Sequence, residues 1–446
     1  MSRFFVKDIT VSGSTQNVAV SKIEFEDGVN IVHGPSNTGK SYILGCLNFM
    51  FGGMNIPFSK ADTNYDVVAI TFASTDGKRV CCKRMIVEGR GNRKEVGSNI
   101  IEFTLSDVPE FPVGDYYVNS AKKNSRPYSE FLLFLLGITQ TPQIISTKKR
   151  ETNALSLRTI FQFFYLDEDN IFKKDTVFYP NHTFVKPVAV IMSLVYLLEA
   201  QDFSQEVPAE SEKEREERKI QQAGVISYLK DKLKKYTDQR TELQKMKEQI
   251  GNEDIESKIQ DILAEIVEIE NAITEANEKC GQILEQIFEI TPRLEEIRLR
   301  RERFRILHPN NPTARIDKNS LDAVVNEKAK ENEGKGYRAF LNTVMLFNLM
   351  KLLEFDGKYS LHMLFLDSPI LSLKEKGKVD ENEFATTGMK ESLFRYIITH
   401  CGENQVIIIE NELPANVDYK AAHLIPFTKD DDGRYGFLYS VRDADF

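Results

Sequence analysis

No apolar run in this sequence reaches the about 18 consecutive residues that a membrane-spanning helix needs, so a helical membrane protein is not expected. The opening residues, Met1-Ser2-Arg3-Phe4-Phe5-Val6-Lys7-Asp8, lack the long apolar core of a signal peptide. Cysteine is sparse. Cys46, Cys81, Cys82, Cys280 and Cys401 form no metal-ligand spacing and suit a reduced intracellular compartment, so a cytoplasmic location is expected. A basic excess is missing too: the net charge is −9, and any contact with nucleic acid has to be local.

What is present is enough apolar material for a sizeable core. With 446 residues, 41% hydrophobic and 28% charged, the chain exceeds a single core, and two or more domains or one domain with a large extension are expected. The greasiest helical stretch, Val188 to Leu198, reads as buried core.

The most specific signal is Gly34-Pro35-Ser36-Asn37-Thr38-Gly39-Lys40-Ser41, a complete Walker A loop that follows the strand-like run Val29-Asn30-Ile31-Val32-His33. Its glycines let the loop curl until backbone N–H groups point at phosphate oxygens. Lys40 then reaches the β- and γ-phosphates, and the Ser41 hydroxyl coordinates Mg²⁺. A helix should start here with its positive end at the phosphates, and the run from Tyr42 to Phe49 is apolar and helix-compatible. ATP and Mg²⁺ are the cofactors expected.

Along the chain, short alternating runs at Phe4–Ile9, Lys22–Phe25, Val29–Val32, Asp66–Phe72, Arg79–Val87 and Asn99–Thr104 predict β-rich structure around one helix. From Ser129 to about Leu198 the pattern turns helical. Between about Glu199 and Leu307 the composition shifts to Glu, Lys, Gln and Arg, with an isoleucine seam at Ile255, Ile259, Ile262, Ile266, Ile269 and Ile273 that continues from Ile283 past a kink at Pro292. Ile250-Gly251-Asn252-Glu253-Asp254 interrupts it as a helix stop. An antiparallel helical hairpin follows from this reading; the alternative is one long helix pairing with a second copy. Beyond His308-Pro309 a second compact region is expected, with helices near Gly336–Glu354 and Lys390–Thr399 and two-faced apolar strands at Leu361–Leu366 and Gln405–Glu410, the pattern of a parallel sheet.

In His362-Met363-Leu364-Phe365-Leu366-Asp367, four apolar residues close on an aspartate, the form of a Walker B strand, and Asp367 would hold Mg²⁺ opposite Ser41.

A Walker A near one end, a central coil and a Walker B near the other resemble the SMC and RecN-type branch of the ABC ATPases, coiled-coil-containing P-loop ATPases of prokaryotic defence or DNA repair. The resemblance implies an α/β head assembled from N- and C-terminal halves, residues 1–198 and 308–446, with an inserted antiparallel coiled-coil hairpin over 199–307. It also implies a homodimer closed around two ATP molecules. The family's signature loop would fall at Gly334-Lys335-Gly336, contacting the γ-phosphate held by a second head, although its usual serine is missing. Its Q-loop falls on Phe163 to Ile171, where no glutamine stands; Gln162 lies upstream, and Glu168 is left for the metal-facing role. The glutamate expected after Walker B is Ser368, and the switch histidine is Asn411, preceded by Glu410, which would replace the missing acid.

Lys122, Lys123, Arg126, Lys148, Lys149, Arg150, Lys173 and Lys174 offer local charge for DNA phosphates or are solvated loop residues. The function expected is a slow or partner-activated ATPase acting on DNA or gating an effector protein. The alternative is an ATP-gated scaffold with little hydrolysis. A small-molecule kinase and a transporter ATPase both fit the long coil poorly.

Overall fold

The computed structural model describes residues 3–14, 18–89, 94–119, 125–146, 152–178, 187–199, 231, 234–235, 237–238, 260–271, 314–317, 322–325, 328–370, 373, 388–430 and 433–439. The chain divides into two compact units, Met1–Ser204 with Arg293–Phe446, and Gln205–Pro292.

The first unit is built on two main sheets. One is antiparallel, with β1 (Phe4–Ser12), β2 (Ser21–Glu24), β4 (Val67–Ser74), β5 (Arg79–Glu88), β6 (Glu95–Ser106) and β7 (Gly114–Tyr117) in the order β2-β1-β4-β5-β6-β7. Much of β5 alternates between buried and more accessible residues, as expected when one face meets the core. The other sheet is parallel throughout. It runs β10-β14-β15-β3-β16, with β3 at Val29–His33, β10 at Tyr165–Leu166, β14 at Met363–Asp367, β15 at Gln405–Glu410 and β16 at Ala422–Pro426. Every residue of β14 and β15 is buried, so both faces of those strands are covered. Strands from the two ends of the chain thus share one sheet.

Helix α1 (Lys40–Met50) packs between the sheets. Just past its end, Phe51 sets its ring 5.6 Å from Phe72 on β4 and 5.7 Å from Phe365 on β14, which puts an aromatic centre where the layers meet. Short helices follow at α2 (Lys60–Thr63), α3 (Tyr128–Phe134), α4 (Leu157–Ile160) and α5 (Glu168–Ile171). In α6 (Pro187–Glu199), Val190, Met192, Leu194 and Leu197 are buried, in line with a core helix. The 21-residue α7 (Lys335–Phe355) is buried along most of its length, and α8 (Met389–His400) follows the Walker B strand.

Several expectations need correcting. The segment 129–198 is not uniformly helical: β8 (Gln143–Ile145) pairs with β9 (Thr152–Ala154), and β10 joins the parallel sheet. A three-stranded sheet of β11 (Ala314–Asp317), β12 (Asp322–Val325) and β13 (Lys328–Ala329) precedes α7, and β16 lies beside β3. These strands are too short for alternation to declare itself.

In the second unit, residues 260–271 are helical, with Ile266 and Ile269 buried and Val267 exposed. Most of the expected hairpin, including its turn near Gly251 and the Pro292 kink, lies outside the described residues. Among the described residues no helix is long and apolar enough to cross a membrane.

Candidate functional site

The Walker A loop hangs between the end of β3 and the start of α1. Gly34 has φ 146°, and a Cβ there would sit 2.0 Å from the Phe427 carbonyl oxygen, so no other residue fits. Asn37 and Gly39 are also left-handed, at φ 62° and 73°. Lys40 is buried inside the loop, its Nζ donating to the carbonyls of Gly34 at 2.7 Å and Pro35 at 2.6 Å. Burial lowers its pKa, and the carboxylates of Asp367 and Glu410 oppose that shift. At the opposite end of α1, the buried Arg84 donates to the carbonyls of Phe49 and Gly53 at 2.7 and 2.6 Å, matching a cation to the helix's negative end.

Parallel pairing carries the remaining groups to the same edge. Because β14 lies beside β15 and β15 beside β3, their C-terminal ends open together above the loop, the usual ligand edge of such sheets. Asp367 ends β14, is buried, and lines the same cavity as Ser41; the Ser368 hydroxyl donates to its Oδ1 at 2.9 Å. Burial pushes Asp367 up to about 6, with Glu168 and Asp167 adding to the rise and the two serine hydroxyls opposing it. Glu168 arrives because β10 pairs with β14 and leads into α5, whose N-cap Asp167 accepts the Asn170 N–H at 2.9 Å.

These groups surround a cavity of about 600 Å³, a size suited to a small ligand. Its lining comprises the loop from Ser36 through Thr38, Lys40 and Ser41 to Tyr42, then Glu168, Asp367, Ser368, Ile409, Asn411 and Leu438. Gly34 and Pro35 shape the loop without lining it. Ser368 adopts φ 53°, with its N–H donating to the Ile409 carbonyl at 2.8 Å, a strained backbone of the kind that clusters at functional sites. Among the described residues no three His, Cys, Asp or Glu side chains form a metal cluster. The donor set here, one hydroxyl and one carboxylate beside a phosphate loop, suits Mg²⁺, which takes few protein ligands and shares phosphate oxygens.

Other expected residues stand elsewhere. Glu410 is buried and does not line the cavity; its carboxylate accepts the N–H groups of Asn411 at 2.9 Å and Ile370 at 3.3 Å. Strand alternation explains why Ile409 and Asn411 reach the cavity while the residue between them does not. Burial raises Glu410 to about 7. The signature-like stretch is not a loop: Gly334 is the N-cap of α7, Lys335 and Gly336 are already helical, and the Lys335 ammonium lies 4.2 Å from the Phe172 ring centroid. Gln162 donates to the Thr159 carbonyl and lines a different cavity. Of the basic residues, Arg126 covers the Tyr116 ring and Lys173 donates to Asn170, while Lys122, Lys123, Lys148, Lys149 and Arg150 lie outside the described residues. Leu438 was not anticipated. The only hint of it in the sequence is the apolar triplet Phe437-Leu438-Tyr439.

A family model described as AAA domain (AAA_23) matches residues 14–287, more than half of the chain. No curated protein matches. Among solved structures, the chain is similar to the Smc head domain with an extended coiled coil bound to the C-terminal domain of ScpA, from Pyrococcus furiosus. That likeness has 14% identity over 92% of this chain and 90% of that one, with a TM-score of 0.41. The Smc head domain with a coiled coil and joint from Pyrococcus yayanosii is 13% identical over 91% and 92%, with a TM-score of 0.41. The recombination mediator protein RecF of the RecFOR pathway is 12% identical over 93% and 94%, with a TM-score of 0.33.

Proposed function

This chain belongs to the AAA domain family AAA_23, and from that premise we propose that it is an SMC-like ATPase head binding Mg²⁺-ATP between its Walker A loop and Asp367. The observation that carries the reading is that Ser41 and Asp367, from opposite ends of the chain, line one cavity with the Walker A loop, where they would share one metal ion. Bound Mg²⁺ would neutralise phosphate charge. Ser41 and Asp367 would hold it with Glu168 facing it, Lys40 and the Gly34–Tyr42 loop would bind the phosphates, and Asn411 would orient a water. Glu410 would act through Asn411, whose N–H it accepts.

Hydrolysis is proposed to be slow, because the residue after Asp367 is a serine with no carboxylate to activate water. That same residue favours the second reading, a scaffold gated by ATP that controls an effector protein. Head-to-head pairing of two copies around ATP is supported by the exposed N-terminus of α7: Gly334 and Lys335 are accessible, and the helix's positive end suits a partner's γ-phosphate. DNA as the object acted on, and a setting in anti-phage defence or DNA repair, follow from the family resemblance.

Calorimetric titration with ATP and Mg²⁺ tests the core of the proposal. Lys40→Ala should weaken binding by at least about tenfold, as loss of a charge-assisted phosphate contact does. Equal affinity in the variant would sink it. Turnover of wild type and Glu410→Gln, measured beside ATP-dependent light scattering with and without DNA, separates the readings: closure without turnover supports the scaffold, and stimulation by DNA supports the ATPase acting on DNA.

A further inference from the structure

The residues that follow β16 do more than close the sheet. Two flanking segments, residues 427–430 and 433–437, run side by side through the hydrogen bonds Thr428 N to Arg434 O at 2.8 Å and Lys429 N to Tyr435 O at 3.1 Å. The Arg434 guanidinium lies 5.1 Å from the Phe427 ring centroid and 5.3 Å from that of Tyr439, and donates to the Lys22 carbonyl at 2.7 Å. This ribbon meets the Walker A loop at both ends. Phe427 N donates to the His33 carbonyl at 2.7 Å, and Phe437 N donates to the Thr38 carbonyl at 2.9 Å. The Phe437 carbonyl in turn accepts from the Ser21 hydroxyl on β2.

The consequence is set by peptide geometry. No peptide bond among the described residues is cis, so the C=O and N–H of each planar unit point in opposite directions. A ribbon that holds the His33 and Thr38 carbonyls toward itself turns the Gly34 and Gly39 N–H groups the other way. The Gly39 N–H opens the N-terminus of α1, where backbone donors meet phosphate. Approach is close enough to demand glycine on both partners: a Cβ on Gly436 would lie 2.4 Å from the Thr38 carbonyl oxygen, and one on Gly34 would lie 2.0 Å from that of Phe427.

We propose that this ribbon is a positioning element of the phosphate loop, setting the peptide orientation at both ends of Walker A so that its amides are aligned before nucleotide arrives. The inference rests on the nucleotide reading of the cavity given above. Phe427 and Phe437 act through the loop, and no contact of theirs with nucleotide is required.

The test measures ATP affinity and melting temperature together on the full chain. Gly436→Ala and Phe437→Pro, the first by displacing the ribbon and the second by removing the N–H, should each weaken ATP binding roughly tenfold or more, the worth of about one well-placed hydrogen bond. Phe437→Leu keeps the N–H and should bind much closer to wild type than Phe437→Pro. Gly357→Ala, whose Cβ would lie 2.6 Å from the Leu353 carbonyl oxygen at the far end of α7, provides a matched clash away from the site; it should lower the melting temperature and leave affinity within about twofold. Wild-type affinity in Gly436→Ala, or affinity that tracks melting temperature across all four variants, overturns the inference while leaving the nucleotide reading intact. Absence of ATP binding by the wild-type chain, or full binding by Lys40→Ala, overturns the nucleotide reading and the inference with it.

Discussion

The Gln405 side chain pairs with the Val6 backbone as a strand would: Val6 N–H donates to Oε1 at 2.9 Å and Nε2 donates to the Val6 carbonyl at 2.8 Å. Gln405 opens β15 and Val6 lies on β1, so this amide joins the parallel sheet to the antiparallel one. It does so where β1 shifts register between Val6 and Asp8. Nε2 also donates to the Glu26 carbonyl at 3.0 Å, and Gln405 is fully buried. Gln405→Leu would deprive the buried Val6 N–H and carbonyl of this amide, while the Glu26 carbonyl keeps the Asn30 side-chain donor at 2.8 Å. We expect a loss of roughly 2–4 kcal/mol in urea unfolding; a loss too small to resolve would show that water replaces the amide.

Glu410 and Asp367 make stability fall with rising pH. Burial raises their pKa values to about 7 and about 6, from ordinary values of 4.5 and 3.8, so between about pH 4 and 7 the folded chain holds more protons than the unfolded one. Their contribution is therefore greatest below the unfolded values and is lost as pH rises through the folded ones. Glu410→Gln removes one of the two charges, and the ligand-free variant should gain roughly 2–3 kcal/mol over wild type at pH 8. The gain should shrink at pH 5. Equal differences at the two pH values would contradict the assignment.

Ser368 tunes its neighbour. Its hydroxyl bond to Asp367 favours the carboxylate over the acid, and Mg²⁺ needs the carboxylate. Ser368→Ala should push Asp367 higher still, so that Mg²⁺-dependent ATP binding sets in at a pH roughly half a unit to one unit above wild type. The onset is read by titrating affinity between pH 5 and 8, and an unmoved midpoint argues against the bond.

The core of the site was legible in the sequence because its parts are contiguous. Gly34 to Ser41 follows an apolar strand and opens a helix, and Met363 to Asp367 is apolar on both faces, so spacing alone identified them. Ser41 and Asp367 line one cavity because parallel pairing through β15 brings β3 and β14 to one edge. Glu410 was legible as a strand end, but its direction away from the cavity depends on register. The helix at Lys335 begins earlier than its glycines suggest, since Gly334 acts as an N-cap and Gly336 packs as a buried helical residue. The ribbon after β16 was hidden because its partners, His33, Thr38 and Ser21, lie hundreds of residues away, and no local period marks such contacts.

Lys330 is the buried cation whose loss of partner should cost most. All three ammonium protons are taken: Nζ donates to Asp322 Oδ2 at 2.9 Å, to Asn342 Oδ1 at 2.6 Å and to the Asp175 carbonyl at 2.8 Å. The contacts tie β12 and α7 to the segment after α5. Burial lowers the Lys330 pKa and Asp322 resists that shift, so Asp322→Ala leaves a desolvated charge with only neutral acceptors. A loss of about 3–5 kcal/mol is expected. In that variant Lys330 drops further below its unfolded value, so between the two values the folded chain binds fewer protons and the deficit should narrow as pH rises through the lowered pKa toward the unfolded one. Asp322→Leu combined with Lys330→Met removes both charges and should cost less than Asp322→Ala alone, although the Asn342 and Asp175 oxygens lose their donor. Urea unfolding of the single and double variants at pH 7 and pH 9 decides it. A double variant less stable than the single would mean that the hydrogen bonds of Lys330 to Asn342 and Asp175, and not the charge pair, hold these segments together.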